Sequence, residues 1–175
     1  SIARRQRQMC IRDRFIVWGQ GVILGNAEDE FKSFVEKSGI PAAWTILGVS
    51  ALPTSHELNV GMVGMHGNYG PNLLTNECDL LVAIGMRFDD RVTGDPKTYA
   101  NQAKIIHLDI DPAEINKNIK VEVPIIGDCK ESLKLITEKI EKRSHEKWIS
   151  KFDDLMKIEF DKVINSDLNL SLIHI

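Results

Sequence analysis

The 175-residue chain is 43% hydrophobic and 27% charged, with a formal net charge of −3. That is enough chain and apolar content for one domain with a substantial core, and the charge gives no basic surface for nucleic acid or an anionic membrane. No apolar run reaches the length of a membrane span. Cys10, Cys78 and Cys129 are too scattered for a disulfide framework or a zinc site, a usage that suits a reducing cytosol and predicts a cytoplasmic protein.

Residues 1–14 are basic and lack any structural period. Their RQMCIRDR portion, residues 7–14, and residues 171–175 resemble translated sequencing-adapter remnants, so both ends are expected to be non-native or, for the first, a disordered arm. The chain is then expected to be a piece of something longer. The ordered part begins at Phe15-Ile16-Val17-Trp18, a β-type run ending in Gly19-Gln20-Gly21. After a turn through Gly25 and Asn26 comes a helix, with Asn26 as its expected cap and Glu28 and Asp29 in the first turn. Ala27, Phe31, Phe34 and Val35 recur at helical spacing, and Gly39 with Pro41 stops the helix.

Residues 42–47 predict a second strand, and residues 48–72 a long connection punctuated by glycines. A loop of that length is usually functional. Residues 73–78 predict a short helix leading into Leu80-Leu81-Val82-Ala83-Ile84, an unbroken apolar run of the kind buried on both faces of a parallel sheet. Residues 104–111 predict another strand. Asp111, Pro112 and Glu114 then read as N-cap, first helical position and capping box of a helix. Residues 121–127 predict a last strand, placed at an edge by Pro124. Asp128 and Glu131 repeat the capping pattern before a helix lined by Leu133, Ile136 and Ile140. A final amphipathic stretch over residues 148–164 stands outside the alternation and reads as a linker or docking helix. The fold class is therefore α/β, a doubly wound parallel sheet with helices on both faces and a C-terminal linker helix.

In such sheets ligands lie beyond the carboxyl ends of the strands. Met86-Arg87-Phe88-Asp89-Asp90-Arg91-Val92-Thr93-Gly94 emerges there after the central run. Arg87 and Arg91 suit a pyrophosphate, with Arg87 at the strand's end and Arg91 on a loop free to move. Asp109 suits ribose hydroxyls. His66 is open to two readings, ring contact with a ligand or an exposed loop residue. Gly19-x-Gly21 with Gly25 misses the dinucleotide fingerprint, whose acid some 20 residues on is absent; a phosphate near the helix start or a tight structural turn both fit. No nucleophile elbow and no H-E-x-x-H occurs. Asp89 and Asp90 alone do not make a metal site.

Val63-Gly64-Met65-His66-Gly67, Ile84-Gly85-Met86-Arg87-Phe88-Asp89-Asp90-Arg91-Val92-Thr93-Gly94, His107-Leu108-Asp109-Ile110-Asp111 and Gly127-Asp128 together closely resemble the central domain of acetolactate synthase large (catalytic) subunits, from about residue 15 to about residue 164. The resemblance implies an FAD-binding central domain over residues 15–142 and a linker helix over residues 143–170. It implies FAD contacts at Gly19 and Gly21; Thr45, Ile46 and Leu47; Val63, Gly64, Met65 and His66; Gly85, Arg87, Asp89, Arg91 and Val92; Asp109 and Ile110; and Gly127 and Asp128. Where the family often has a third glycine, this chain has Gln20. The implied reaction, a step of branched-chain amino-acid biosynthesis, joins two 2-oxo acids with loss of CO2, on thiamine diphosphate and Mg2+ held by flanking domains. FAD is implied to be structural, and this piece alone is implied to be non-catalytic. A homo-oligomer and a small regulatory subunit are implied as partners, with neither nucleic acid nor membrane. Glyoxylate carboligase, pyruvate oxidase and a stand-alone nucleotide-binding module are the competing readings.

Overall fold

Short apolar runs become six parallel strands of one sheet: β1 (Arg14–Trp18), β2 (Ala42–Trp44), β3 (Asn59–Met62), β4 (Leu80–Ile84), β5 (Lys104–Asp109) and β6 (Val123–Ile126). They come from a computed structural model that describes residues 13–164. The expectations for residues 1–12 and 171–175 therefore lie outside the described residues, and the same holds for Cys10. The strand order is β3-β2-β1-β4-β5-β6. The chain winds outward from β1 in one direction, returns, and winds outward from β4 in the other. β1 and β4 pair in register from Arg14 opposite Leu80 to Trp18 opposite Ile84.

Alternation along the two central strands divides the core. Phe15, Val17, Leu81 and Ala83 face one side, and Ile16, Trp18, Val82 and Ile84 the other. The second face is covered by α1 (Gln20–Leu24), α2 (Glu28–Ser38) and, from the far end of the chain, α5 (Cys129–Lys139). The first is covered by α3 (Tyr69–Thr75) and α6 (Glu146–Glu159), while α4 (Asp90–Thr93) is a single turn after β4. Helices thus lie on both faces, as the alternation predicts.

Several local expectations need correction. α1 occupies what reads as a plain turn, and Asn26 does not cap α2 but takes a left-handed conformation at φ 47°. Ala27 stands at the N-cap position, and three acids in the first turn stabilise that end. Gly39 does end α2 in the left-handed conformation, at φ 64°. β2 stops at Trp44, because Ile46–Gly48 forms a 3₁₀ turn. β3 lies inside the supposed long loop, where glycine and asparagine hide its signal, and the short helix starts at Tyr69. β5 ends at Asp109, and Pro112–Glu114 is only a 3₁₀ turn.

Asp111 caps that turn as expected, accepting from the Ala113 N–H at 2.8 Å. Glu114 closes no box; it pairs with Lys117 at 2.7 Å. Asp111→Ala should lower stability by about 0.5–2 kcal/mol, read from a denaturation curve. Asp128 caps α5 through the Glu131 N–H at 3.0 Å, and β6 with Pro124 is an edge strand. The C-terminal helix is not held off from the sheet: Trp148 and Phe152 are buried in the first core.

Candidate functional site

The carboxyl ends of all six strands form one rim, and every candidate residue lies on it. β1 leads into Gly19 and Gly21, β2 into Thr45, Ile46 and Leu47, and β3 into Val63, Gly64, Met65 and His66. β4 leads into Gly85, Arg87, Asp89, Arg91 and Val92; β5 ends at Asp109 and runs into Ile110; β6 runs into Gly127 and Asp128. The reversal of strand order falls between β1 and β4, the position where open sheets bind ligands.

At that reversal the glycines serve packing. The Gly19 N–H donates to the Ile84 carbonyl at 3.0 Å and the Gly21 N–H to the Gly85 carbonyl at 2.8 Å. A Cβ on Gly21 would stand 2.6 Å from the Gly85 Cα, so the two backbones touch. Those two N–H groups are committed to β4 and its end, which favours the tight-turn reading over a phosphate cradle there.

Beyond Gly85, Met86 and Phe88 are buried, and Arg87 between them projects with 66% of its side chain exposed. Its guanidinium lies 3.4 Å from an Asp89 carboxylate oxygen, while the other Asp89 oxygen is buried without a hydrogen-bond partner. Arg91 sits on α4 and not on a free loop. Its carbonyl accepts from the Met65 N–H at 2.8 Å, tying the loop after β3 to the loop after β4. Asn72 locks the same loop from α3, with its side-chain amide bonded to both the N–H and the carbonyl of Gly64 at 2.9 Å. Gly64 has φ 108°, a conformation open to glycine. A cleft of about 310 Å³ runs between these loops, lined by Gly64, Met65, Asn72, Arg91 and Tyr99 with their neighbours. A cleft of about 290 Å³ between α2 and α5 involves no strand end.

The Asp109 carboxylate is largely buried, accepts from the Asp111 N–H at 2.9 Å, and lies 3.6 Å from His107 Nε2. Burial pushes its pKa up, but the His107 interaction and the backbone N–H groups of Asp111 and Ile110 outweigh it and hold the carboxyl below its usual value. Its contribution to stability is therefore present above the unfolded value of about 3.9 and is lost as pH falls through the lower folded value. The Cys78 and Cys129 thiols are pushed up to about 12, chiefly by burial, so neither suits a nucleophile. Among the described residues no group of three His, Cys, Asp or Glu side chains is gathered as for a metal, and no helix is long and apolar enough to cross a membrane.

Several rim residues are apolar yet open. Ile46, Leu47, Met65, Ile110 and Ile126 are each at least 58% exposed. Ile126 was not foreseen, nor were Asn72 and His107. An apolar residue closing an edge strand is a usable signal for the first. Nothing in the spacing marks the other two, because the carbonyl and N–H groups they bond, on Gly64 and Met86, lie 8 and 21 residues away.

Comparison with known proteins agrees with this geometry. The profile of the thiamine pyrophosphate enzyme central domain matches residues 12–136. The acetolactate synthase large subunit of Corynebacterium glutamicum is 52% identical over 120 residues, covering 69% of this chain and 19% of that protein. That of Lactococcus lactis subsp. lactis is 45% identical over 118 residues, covering 67% of this chain and 20% of that protein. That of Buchnera aphidicola subsp. Schizaphis graminum is 38% identical over 154 residues, covering 84% of this chain and 27% of that protein. The chain spans about a quarter or less of the length of the curated relatives it matches. With its six-stranded parallel sheet and the profile match across most of its length, the chain belongs to the thiamine pyrophosphate enzyme central domain family.

Proposed function

We propose that this chain is the FAD-binding central domain of an acetolactate synthase large subunit, with the flavin dinucleotide lying along the rim. The observation that carries the reading is the pairing, on one rim, of exposed apolar side chains with cationic and acidic ones. A ring system has Ile46, Leu47, Met65 and Ile110 to lie on, a pyrophosphate has Arg87 and Arg91, and a ribose has Asp109. The unpartnered Asp89 oxygen is a further acceptor beside Arg87. The names of the relatives favour the synthase over the carboligase and the oxidase.

The whole enzyme would condense two pyruvates, or pyruvate with 2-oxobutyrate, with loss of CO2, in the cytoplasm. Thiamine diphosphate with Mg2+ supplies the carboligation chemistry from flanking domains, and FAD, with no net redox step to perform, is a structural ligand. The role of residues 13–164 is accordingly to bind and orient, with α6 leading towards a C-terminal thiamine-diphosphate domain. A homo-oligomer and a small regulatory subunit are the expected partners.

Quenching of flavin fluorescence on titration with FAD tests this. Arg87→Ala should raise the dissociation constant roughly ten- to a hundredfold, from the loss of a charge-assisted bond of about 1.5–3 kcal/mol. Because Arg91 is held on α4 and does not swing on a loop, Arg91→Ala should also cost affinity. Asp109→Ala should do the same. Equal affinity in wild type and all three variants, with melting curves unchanged, would remove the flavin from this rim.

A further inference from the structure

His107 is completely buried in the middle of the sheet, on the strand between β4 and β6, yet it lies within bonding reach of the rim. Its Nε2 is 2.8 Å from the Met86 carbonyl and 3.6 Å from an Asp109 carboxylate oxygen. A carbonyl only accepts, so the ring must carry a proton on Nε2. Nδ1 is buried with no hydrogen-bond partner among the described residues, so the ring's polar contacts all run through Nε2. The ring also meets Phe88 edge-on, with centroids 4.9 Å apart, and the Phe88 carbonyl is held in turn by the Asn118 amide at 2.6 Å.

Both neighbours of Arg87 are thus fixed by contacts to one imidazole. The same N–H approaches Asp109, the acid at the end of the adjoining strand. We infer that His107 is a positioning residue for the dinucleotide site: through Nε2–H it sets the spacing between the Arg87 and Asp109 ends of the rim. The inference rests on the flavin reading and deepens it. His107 itself touches no ligand, because its ring is enclosed by β4, Phe88 and Asp109. Its effect on binding passes entirely through the two rim residues.

Three variants of this chain decide the matter, with FAD affinity and melting curves measured side by side. His107→Phe keeps the ring's bulk and removes the N–H. His107→Gln places a side-chain N–H near the reach of Nε2, and His107→Asn places one that falls short. His107→Phe should weaken FAD about tenfold, the cost of misplacing one charge-assisted contact, and His107→Gln should recover most of that loss. In the double variant with Arg87→Ala the two losses should fall short of multiplying, since one acts through the other. Wild-type affinity in His107→Phe, even with a lowered melting point, would overturn the inference and leave His107 a core residue. If His107→Phe does not fold, the Gln and Asn variants decide. Gln binding tighter than Asn supports positioning, and equal binding overturns it.

A ligand-free readout separates this from the flavin proposal. In carboxyl-carbon NMR, the Asp109 titration midpoint should move up when the His107 N–H is lost, with the nearby Cys129 thiol and Asp128 carboxyl unchanged in sequence. Should wild type bind no FAD, the flavin reading falls, and the Asp109 midpoint alone judges His107. An unmoved midpoint overturns the positioning role.

Discussion

Gly85→Ala is expected to lower the stability of this chain by about 2–5 kcal/mol, although the substitution adds a single methyl group. Gly85 sits at φ 56°, where an L side chain costs about 1–2 kcal/mol. The added Cβ would lie 2.7 Å from the Gly21 Cα, 2.8 Å from the Gly21 carbonyl carbon and 2.9 Å from the Val22 nitrogen. All three are backbone atoms, so no side chain can swing away. Overpacking of this kind costs about 1–3 kcal/mol, for a sum of about 2–5 kcal/mol against a total stability of about 5–15 kcal/mol. Gly21→Ala should come close to it, since its Cβ would meet the Gly85 Cα at 2.6 Å.

Gly127→Ala is the control. Gly127 has no positive φ, and the nearest atom to its added Cβ is the Ser132 hydroxyl at 3.4 Å, so stability should change by no more than about 0.5 kcal/mol. Urea denaturation of the three variants gives the ranking directly. A Gly85→Ala protein as stable as Gly127→Ala would show that the contact between the β1 and β4 ends relaxes freely. The close backbone contact at the reversal of strand order would then contribute little to holding the rim in place.

Phe152→Ala should lower the stability of the chain by about 3–5 kcal/mol, the usual cost of removing a buried phenylalanine. The ring is only 1% exposed, lies 5.2 Å from the Phe15 ring and 5.4 Å from the Trp148 ring, and closes the first core over β1. Trp148 adds a hydrogen bond from its indole N–H to the Arg14 carbonyl at 2.8 Å. For a domain of this size, each kcal/mol shifts the melting midpoint by about 2–4 °C, so a drop of roughly 6–20 °C is expected. A helix that only led to another domain would leave the midpoint in place, and an unchanged midpoint would return α6 to that role alone.

Periodicity by itself determined the class of this fold. Runs such as Leu80-Leu81-Val82-Ala83-Ile84, apolar on both faces, have no stable place outside a sheet covered twice. Caps at Asp111 and Asp128 and the stop at Gly39 were equally legible, because each depends on atoms within a few residues. The candidate rim was legible through a resemblance of motifs, and the parallel sheet explains why those scattered motifs belong together. Parallel strands put all their carboxyl ends on one side.

What required the tertiary structure was every pairing between residues distant in sequence. β3 was hidden because Asn59 and Gly61 mask its strand signal, and pairing with β2 is what makes it a strand. Residues 148–164 show a helix but not which surface buries its apolar face; that was decided by Phe15 of β1 and by α3 on the same face of the sheet. The glycines after β1 leave a phosphate site and a tight turn both open until the end of β4 is seen against them. His107, enclosed within the apolar middle of β5, gained its meaning from a carbonyl 21 residues away. Hydrogen bonds and close packing are short-range in space and indifferent to sequence separation, so contacts of this kind leave no period in the chain to read.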